Sequence, residues 1–303
     1  MKLVTFRHRH TVRIGRLDGD LGRLDSDPGR SDSDPGRSDG PVIIDLAAAS
    51  PALPTDMLAF LAAGPEALAM ARDARGATLP LADVELLAPI PRPPKILAIG
   101  LNYADHAAES GQEVPQFPKV FNKQSTSVVG PGAGVHRPRV SPLVDYEGEL
   151  AIVIGRRCRH VARADAARVI AGYTIANDVT VRDWQLREPT WTMGKSFDTH
   201  CPLGPALVTP DEVGDPGNLA LATYVNGERR QASNTNQLIF DGPALIEFLS
   251  TAFTLEPGDV ICTGTPGGVG MLMSPPTWLA PGDVVRVEIE RLGVLENTVI
   301  EEP

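Results

Sequence analysis

Tyr146-Glu147-Gly148-Glu149-Leu150-Ala151-Ile152-Val153-Ile154 is the stretch on which the fold turns. Residues 150–154 are unbroken apolar, the pattern of a strand covered on both faces. Glu147 and Glu149 stand at its mouth, and side chains at i and i+2 of a strand share a face. Two carboxylates side by side at the entry to a buried strand repel each other unless something neutralises them. Spacing alone leaves two readings open: solvated strand-end charges, or a pair held by a divalent cation. Asp178 follows another apolar strand, Tyr173-Thr174-Ile175-Ala176, and is the third ligand expected in the second reading. Three carboxylates, completed by water or substrate oxygens, suit Mg2+, with Mn2+ or Ca2+ as alternatives.

Outward from this strand the pattern is of many short strands with irregular connections. Residues 95–100, 219–225, 259–263 and 283–289 read as strands, and Asn226-Gly227 as a hairpin turn. The last two strands each follow a Pro-Gly-Asp turn. Helices are expected over 103–110, 164–170, 178–186 and 243–252, and one or two short ones within 50–75. Residues 2–14 are expected to contain a strand. The cluster Pro89, Pro91, Pro93 and Pro94 reads as a linker, which sets a small N-terminal annex at 1–90 against a catalytic unit at 91–303. Gly-Arg-Leu-Asp and Gly-Arg-Ser-Asp recur every seven residues over 15–39; glycine in each repeat and few apolar residues argue for a flexible excursion rather than a coiled coil. Strand dominance favours an α+β, β-roll architecture over a doubly wound sheet.

Composition removes several classes. The chain has 303 residues, enough for a substantial core, and a net charge of −10, which opposes nucleic-acid binding as its main task. No apolar run reaches the length of a membrane helix, and residues 1–7 lack a signal-peptide core. Cys158, Cys201 and Cys262 are far apart and form no CxxC pair, so a disulfide framework is not expected and a cytosolic setting is. Gly194-Lys195-Ser196 is not a P-loop, because the glycine required five residues earlier is Pro189. Residues 264–270 form a glycine-rich loop after a strand, but no helix pattern follows, so it is not a dinucleotide fingerprint. HExxH is absent from the sequence.

Two further groups bear on chemistry. His106 and Glu109, at i and i+3 of an expected helix, share a face, so the carboxylate can orient the imidazole as a base; a surface His–Glu pair is the plainer alternative. Lys195 beside a metal site can hold a carboxylate or a developing enolate, or else be a solvated loop lysine.

In this order the motifs resemble the fumarylacetoacetate hydrolase family from about residue 95 to the C-terminus. Gly100-Leu101-Asn102-Tyr103-Ala104-Asp105-His106 is similar to its lid, and Tyr146–Ala151 to its metal strand. Asn177-Asp178-Val179-Thr180-Val181-Arg182-Asp183-Trp184-Gln185 is similar to the segment carrying the third carboxylate, Gly194–Thr199 to the lysine loop, and Thr263–Gly270 to the substrate loop. Ser233-Asn234-Thr235-Asn236-Gln237 resembles the FAH-domain-containing branch also found in animals. The resemblance implies a mixed β-roll fold, a homodimer and one divalent metal per site. It implies Glu147, Glu149 and Asp178 as ligands, and a His106–Glu109 dyad on a closing lid. Lys195 becomes the enolate partner, and Arg182, Gln185 and Thr265 become substrate contacts. The expected activity is hydrolytic carbon–carbon cleavage of an acylpyruvate-like 2-oxo or 1,3-diketo acid. The alternative is keto–enol tautomerisation, isomerisation or decarboxylation of oxaloacetate or a related acid, since all pass through one enolate. A metal-stabilised scaffold without activity is the non-enzymatic alternative.

Overall fold

The computed structural model describes residues 1–19 and 40–303. Its centre is the strand Gly148–Ile154, buried at every position. It pairs antiparallel with Ile170–Asn177 on one side and Val260–Cys262 on the other. Leu150, Ile152 and Ile154 pack into one core with Leu221, Val287, Ile289 and Leu295 of a second sheet. Ala151 and Val153 face the opposite core, with Met57, Phe60 and Leu61 from the N-terminal segment. Both faces are therefore covered, which is why the run is continuously apolar rather than alternating.

The central strand belongs to a mixed sheet of twelve described strands, and a five-stranded sheet covers part of it. The second sheet contains the Ala220–Val225/Glu228–Asn234 hairpin, joined at Asn226-Gly227 as expected. Helices are few and short, the longest described one being Gly242–Ala252. The architecture is α+β and dominated by sheet, as the sequence pattern indicated.

Several local expectations are corrected. Residues 2–14 lie in two strands, Lys2–His8 and Thr11–Asp18, folded as a hairpin. Gly15–Asp18, the first repeat, lies inside the second of these and pairs with Val42–Asp45, so it is not a flexible excursion. The remaining repeats, from residue 20 to 39, lie outside the described residues. The helix expected over 164–170 is present as a 3-10 helix, Arg163–Val169. Residues 178–186 are not one helix: Thr180–Val181 pairs with Val144–Asp145, and a single helical turn, Arg182–Gln185, follows. Long-range pairing overrides local helical spacing there, because Asp178 N–H donates to Glu147 O at 2.8 Å and Arg182 N–H to Leu143 O at 2.9 Å.

Residues 50–75 supply two helices, Met57–Ala62 and Pro65–Asp73. Asp56 caps the first by accepting from Ala59 N–H, and Pro65 opens the second, where its missing N–H costs nothing. Lys2–His8 pairs antiparallel with Cys201–Val208, so hydrogen-bonded sheet runs across the Pro-rich segment at 89–94.

Candidate active site

Strand register assembles the three carboxylates. Gly148 sits opposite Asn177 and Glu149 opposite Ala176, so one step further Glu147 meets Asp178. By parity Glu147, Glu149 and Asp178 then share a face of two adjacent strands. All three are buried, and one oxygen from each lies within 4.8 Å of the others. Gly148 between the glutamates points the other way, where an added Cβ would lie 2.3 Å from Thr223 Oγ1. The second sheet therefore admits only glycine there without rearrangement.

Lys195 Nζ bridges two of the carboxylates, 2.7 Å from Glu147 Oε2 and 2.8 Å from Asp178 Oδ2. It sits at the end of the helical turn Thr192–Lys195. Gly194 lets that turn lie against Arg182–Gln185, for a Cβ there would fall 2.2 Å from Gln185 N. Arg182 Nη1 lies 2.7 Å from Glu147 Oε1 and donates to Gln185 Oε1 at 3.0 Å. Thr265 Oγ1 donates to Gly148 O and accepts from Gln231 Nε2, so its hydroxyl is already committed within the protein.

The expected dyad is in place on the helix Ala104–Glu109, with His106 Nδ1 3.5 Å from Glu109 Oε2. That is a contact rather than a hydrogen bond, and such pairs commonly tighten when substrate is bound. Glu109 in turn accepts from Gly268 N–H at 3.0 Å, which ties the helix to the glycine-rich loop. His106, Glu147, Arg182, Gln185 and Thr265 line one cavity of about 160 Å3, closed on other sides by residues including Trp191. This suits a small acid, being below the size of pockets for drug-sized ligands. Glu109, Glu149, Asp178 and Lys195 are not on its wall but touch or adjoin residues that are. A larger groove of about 790 Å3, lined by Arg156, Arg157 and Arg168 among others, contains none of the expected site residues.

Charge is unevenly compensated. Burial raises the Glu147 carboxyl, but Lys195 and Arg182 outweigh this and hold it down at about 2. Burial, then Asp178 and Glu147, push the Glu149 carboxyl well up. Among the described residues no lysine or arginine pairs with Glu149, and its hydrogen bond comes from Gly264 N–H at 2.8 Å. Burial lowers the Lys195 ammonium, while Asp178 and Glu147 more than restore it, so it stays charged. A buried, all-oxygen donor set with one uncompensated carboxylate fits a hard divalent cation. Glu147, Glu149 and Asp178 are the residues that would hold it.

Three buried residues of the network escaped the sequence reading, among them Gln231, which donates to Thr265 Oγ1. Lys123 Nζ lies 2.5 Å from Asp178 Oδ1 and also donates to the Lys195 carbonyl. Asp145 contacts Arg182 and the loop at 270–271. Lys123 ends the strand Lys119–Lys123 with no local sign of a partner, and Asp145 precedes Tyr146 without any spacing signal.

Comparison with known proteins gives one consistent picture. The family model described as fumarylacetoacetate (FAA) hydrolase C-terminal matches residues 95–300. Oxaloacetate tautomerase Fahd2a, mitochondrial, from Rattus norvegicus is 49% identical over 262 residues, covering 85% of this chain and 84% of that protein. The crystal structure of 5-carboxymethyl-2-hydroxymuconate delta-isomerase from Mycobacterium smegmatis has a TM-score of 0.78 at 37% identity, with 100% of both chains covered. A fumarylacetoacetate hydrolase from Exiguobacterium antarcticum has a TM-score of 0.80 at 35% identity, again with 100% of both chains covered. The cytosolic setting inferred from cysteine usage is corrected by these relatives, since the rat protein is named as mitochondrial; three free cysteines do not distinguish two reducing compartments. With the matched region spanning the acidic triad, the lysine turn and the glycine-rich loop, this chain belongs to the fumarylacetoacetate hydrolase family.

Proposed function

We propose that this chain is a divalent-metal-dependent tautomerase that interconverts the enol and keto forms of oxaloacetate or a closely related 2-oxo diacid. The observation carrying this reading is the buried Glu147–Glu149–Asp178 triad, two of whose carboxylates Lys195 bridges, next to a small cavity that Glu147, His106 and Arg182 line. The names of the rat tautomerase and the Mycobacterium isomerase support it over the hydrolytic expectation. Glu147, Glu149 and Asp178 would hold a divalent ion, which would supply positive charge to the C2 oxygen of a 2-oxo acid.

The chain's own groups then divide the work. Arg182 holds a substrate carboxylate through Nη2, a buried nitrogen without a hydrogen-bond partner among the described residues, while Nη1 faces Glu147 and Gln185. Lys195 lies close enough to the carboxylates to stabilise negative charge developing on the C2 oxygen. His106, whose Nδ1 faces Glu109, exchanges a proton with substrate through Nε2: the C3–H bond breaks as the enol O–H forms, or the reverse. The apolar walls limit access of water to the enolate.

The His106–Glu109 pair favours a second reading, since the same base can activate water for hydrolytic cleavage of an acylpyruvate. One experiment separates them. Decay of the enol absorbance of oxaloacetate, with and without EDTA, is followed beside acetylpyruvate, with products identified by NMR. Metal-dependent ketonisation without loss of carbon supports tautomerisation; cleavage of acetylpyruvate alone supports hydrolysis. Carbon dioxide release would instead mean a decarboxylase, and no metal-dependent change in either substrate would refute the catalytic reading.

A further inference from the structure

We infer that Asp145 is a positioning residue that sets the aim of Arg182 into the cavity. The inference rests on the assignment of Arg182 to a substrate carboxylate made above.

Asp145 is fully buried on the short strand Val144–Asp145. A buried carboxylate is costly unless donors surround it, and here they do. Oδ1 accepts from Tyr146 N–H at 2.9 Å and Gly270 N–H at 2.8 Å. Oδ2 accepts from Met271 N–H at 3.0 Å and Arg182 Nε at 2.8 Å, with Arg182 Nη2 2.7 Å away. Each acceptor bond fixes a different part of the site. Arg182 and Met271 both line the cavity, and one oxygen atom holds both.

The consequence for Arg182 is geometric. Asp145 occupies the Nε edge of the guanidinium, while Nη1 reaches Glu147 Oε1 and Gln185 Oε1. With one edge clamped, the plane of the fork is set before substrate arrives. A free arginine side chain samples many rotamers, and ordering it beforehand removes that entropic cost from binding. Asp145 need not touch substrate to do this. Its pairing with Thr180 places it beside Arg182 through the two-residue ladder that replaced the expected helix.

A double-mutant cycle tests the inference, with Asp145→Asn, Arg182→Gln and the pair. Asp145→Asn is expected to raise KM for enol oxaloacetate about tenfold, with kcat within about threefold of wild type. Mg2+ affinity by calorimetry should stay within about twofold, because Glu147 keeps its Lys195 and Arg182 contacts. The double variant should be no worse than Arg182→Gln alone, since the clamp has nothing left to aim. Multiplying losses would overturn the inference, for a purely structural aspartate acts independently of Arg182. Pyruvate binding in the presence of Mg2+ provides the same cycle without turnover. Wild-type protein that binds pyruvate but does not ketonise oxaloacetate refutes the tautomerase reading alone. Wild-type protein that binds no pyruvate removes the role of Arg182 and this inference with it. If Asp145→Asn does not fold, Asp145→Ser, which keeps an acceptor and leaves room for water, takes its place. Unfolding of both while Arg182→Gln stays folded would overturn positioning in favour of a structural role.

Discussion

Replacing Glu149 with Gln should move stability and metal binding in opposite directions. In chelator-treated protein Glu149 is a buried carboxylate, 1% exposed, whose oxygen lies within 4.8 Å of oxygens from Glu147 and Asp178. A like-charge pair at that distance costs about 3 kcal/mol at an effective dielectric constant near 20. Protonating the group instead, from its ordinary value of 4.5, costs about 3 kcal/mol at pH 7. Either route caps the penalty at a similar size, and the amide removes it while keeping an oxygen for Gly264 N–H. Because burial and the two neighbouring carboxylates raise this group, the native state holds a proton that the unfolded chain releases above pH 4.5. Stability of the chelated wild type therefore falls as pH rises from 4.5 toward the folded value, and this fall is missing in the Gln variant. With Mg2+ at a hundredfold excess over its Kd, wild type should regain about 3 kcal/mol and the variant nothing. Urea unfolding at pH 5 and pH 7, each in EDTA and in Mg2+, measures both effects. A variant less stable than wild type in EDTA at pH 7, or one that Mg2+ still stabilises, would refute the ligand assignment.

His106→Gln should lower the rate about 100- to 10,000-fold while leaving Mg2+ affinity, read by calorimetry, unchanged; equal loss of both would mean that His106 is not the proton carrier. Lys123→Met should lower stability by about 3–5 kcal/mol in urea, because it strands Asp178 Oδ1 and the Lys195 carbonyl in a buried site; a change within about 1 kcal/mol would mean that the ammonium is not holding them.

The parts of the site that could be read in the chain are those that repeat along it. Glu147 and Glu149 announce their shared face by a period of two, and His106 and Glu109 by a helical step. Asp178 is legible because it ends an apolar run. What escaped is held by contacts between distant segments: Lys123 meets Asp178 across 55 residues, and Gln231 meets Thr265 across 34. Neither Lys123 nor Gln231 has a local signature. The false helix at 178–186 has the same origin, since the residues that recruit Thr180–Val181 into a ladder lie at 144–145. The covered central strand was legible for the opposite reason: burial on both faces removes every polar residue from 150–154, which a single sequence records directly.

The bond from Gly268 N–H to the Glu109 carboxylate joins the short His106-bearing helix to the loop at 263–270. That amide is consequently an intrinsic reporter. Its proton exchanges with solvent deuterium when that bond breaks, so the exchange rate at one backbone position measures how often the Glu109 carboxylate lets go of the loop, with no label attached and no substrate present.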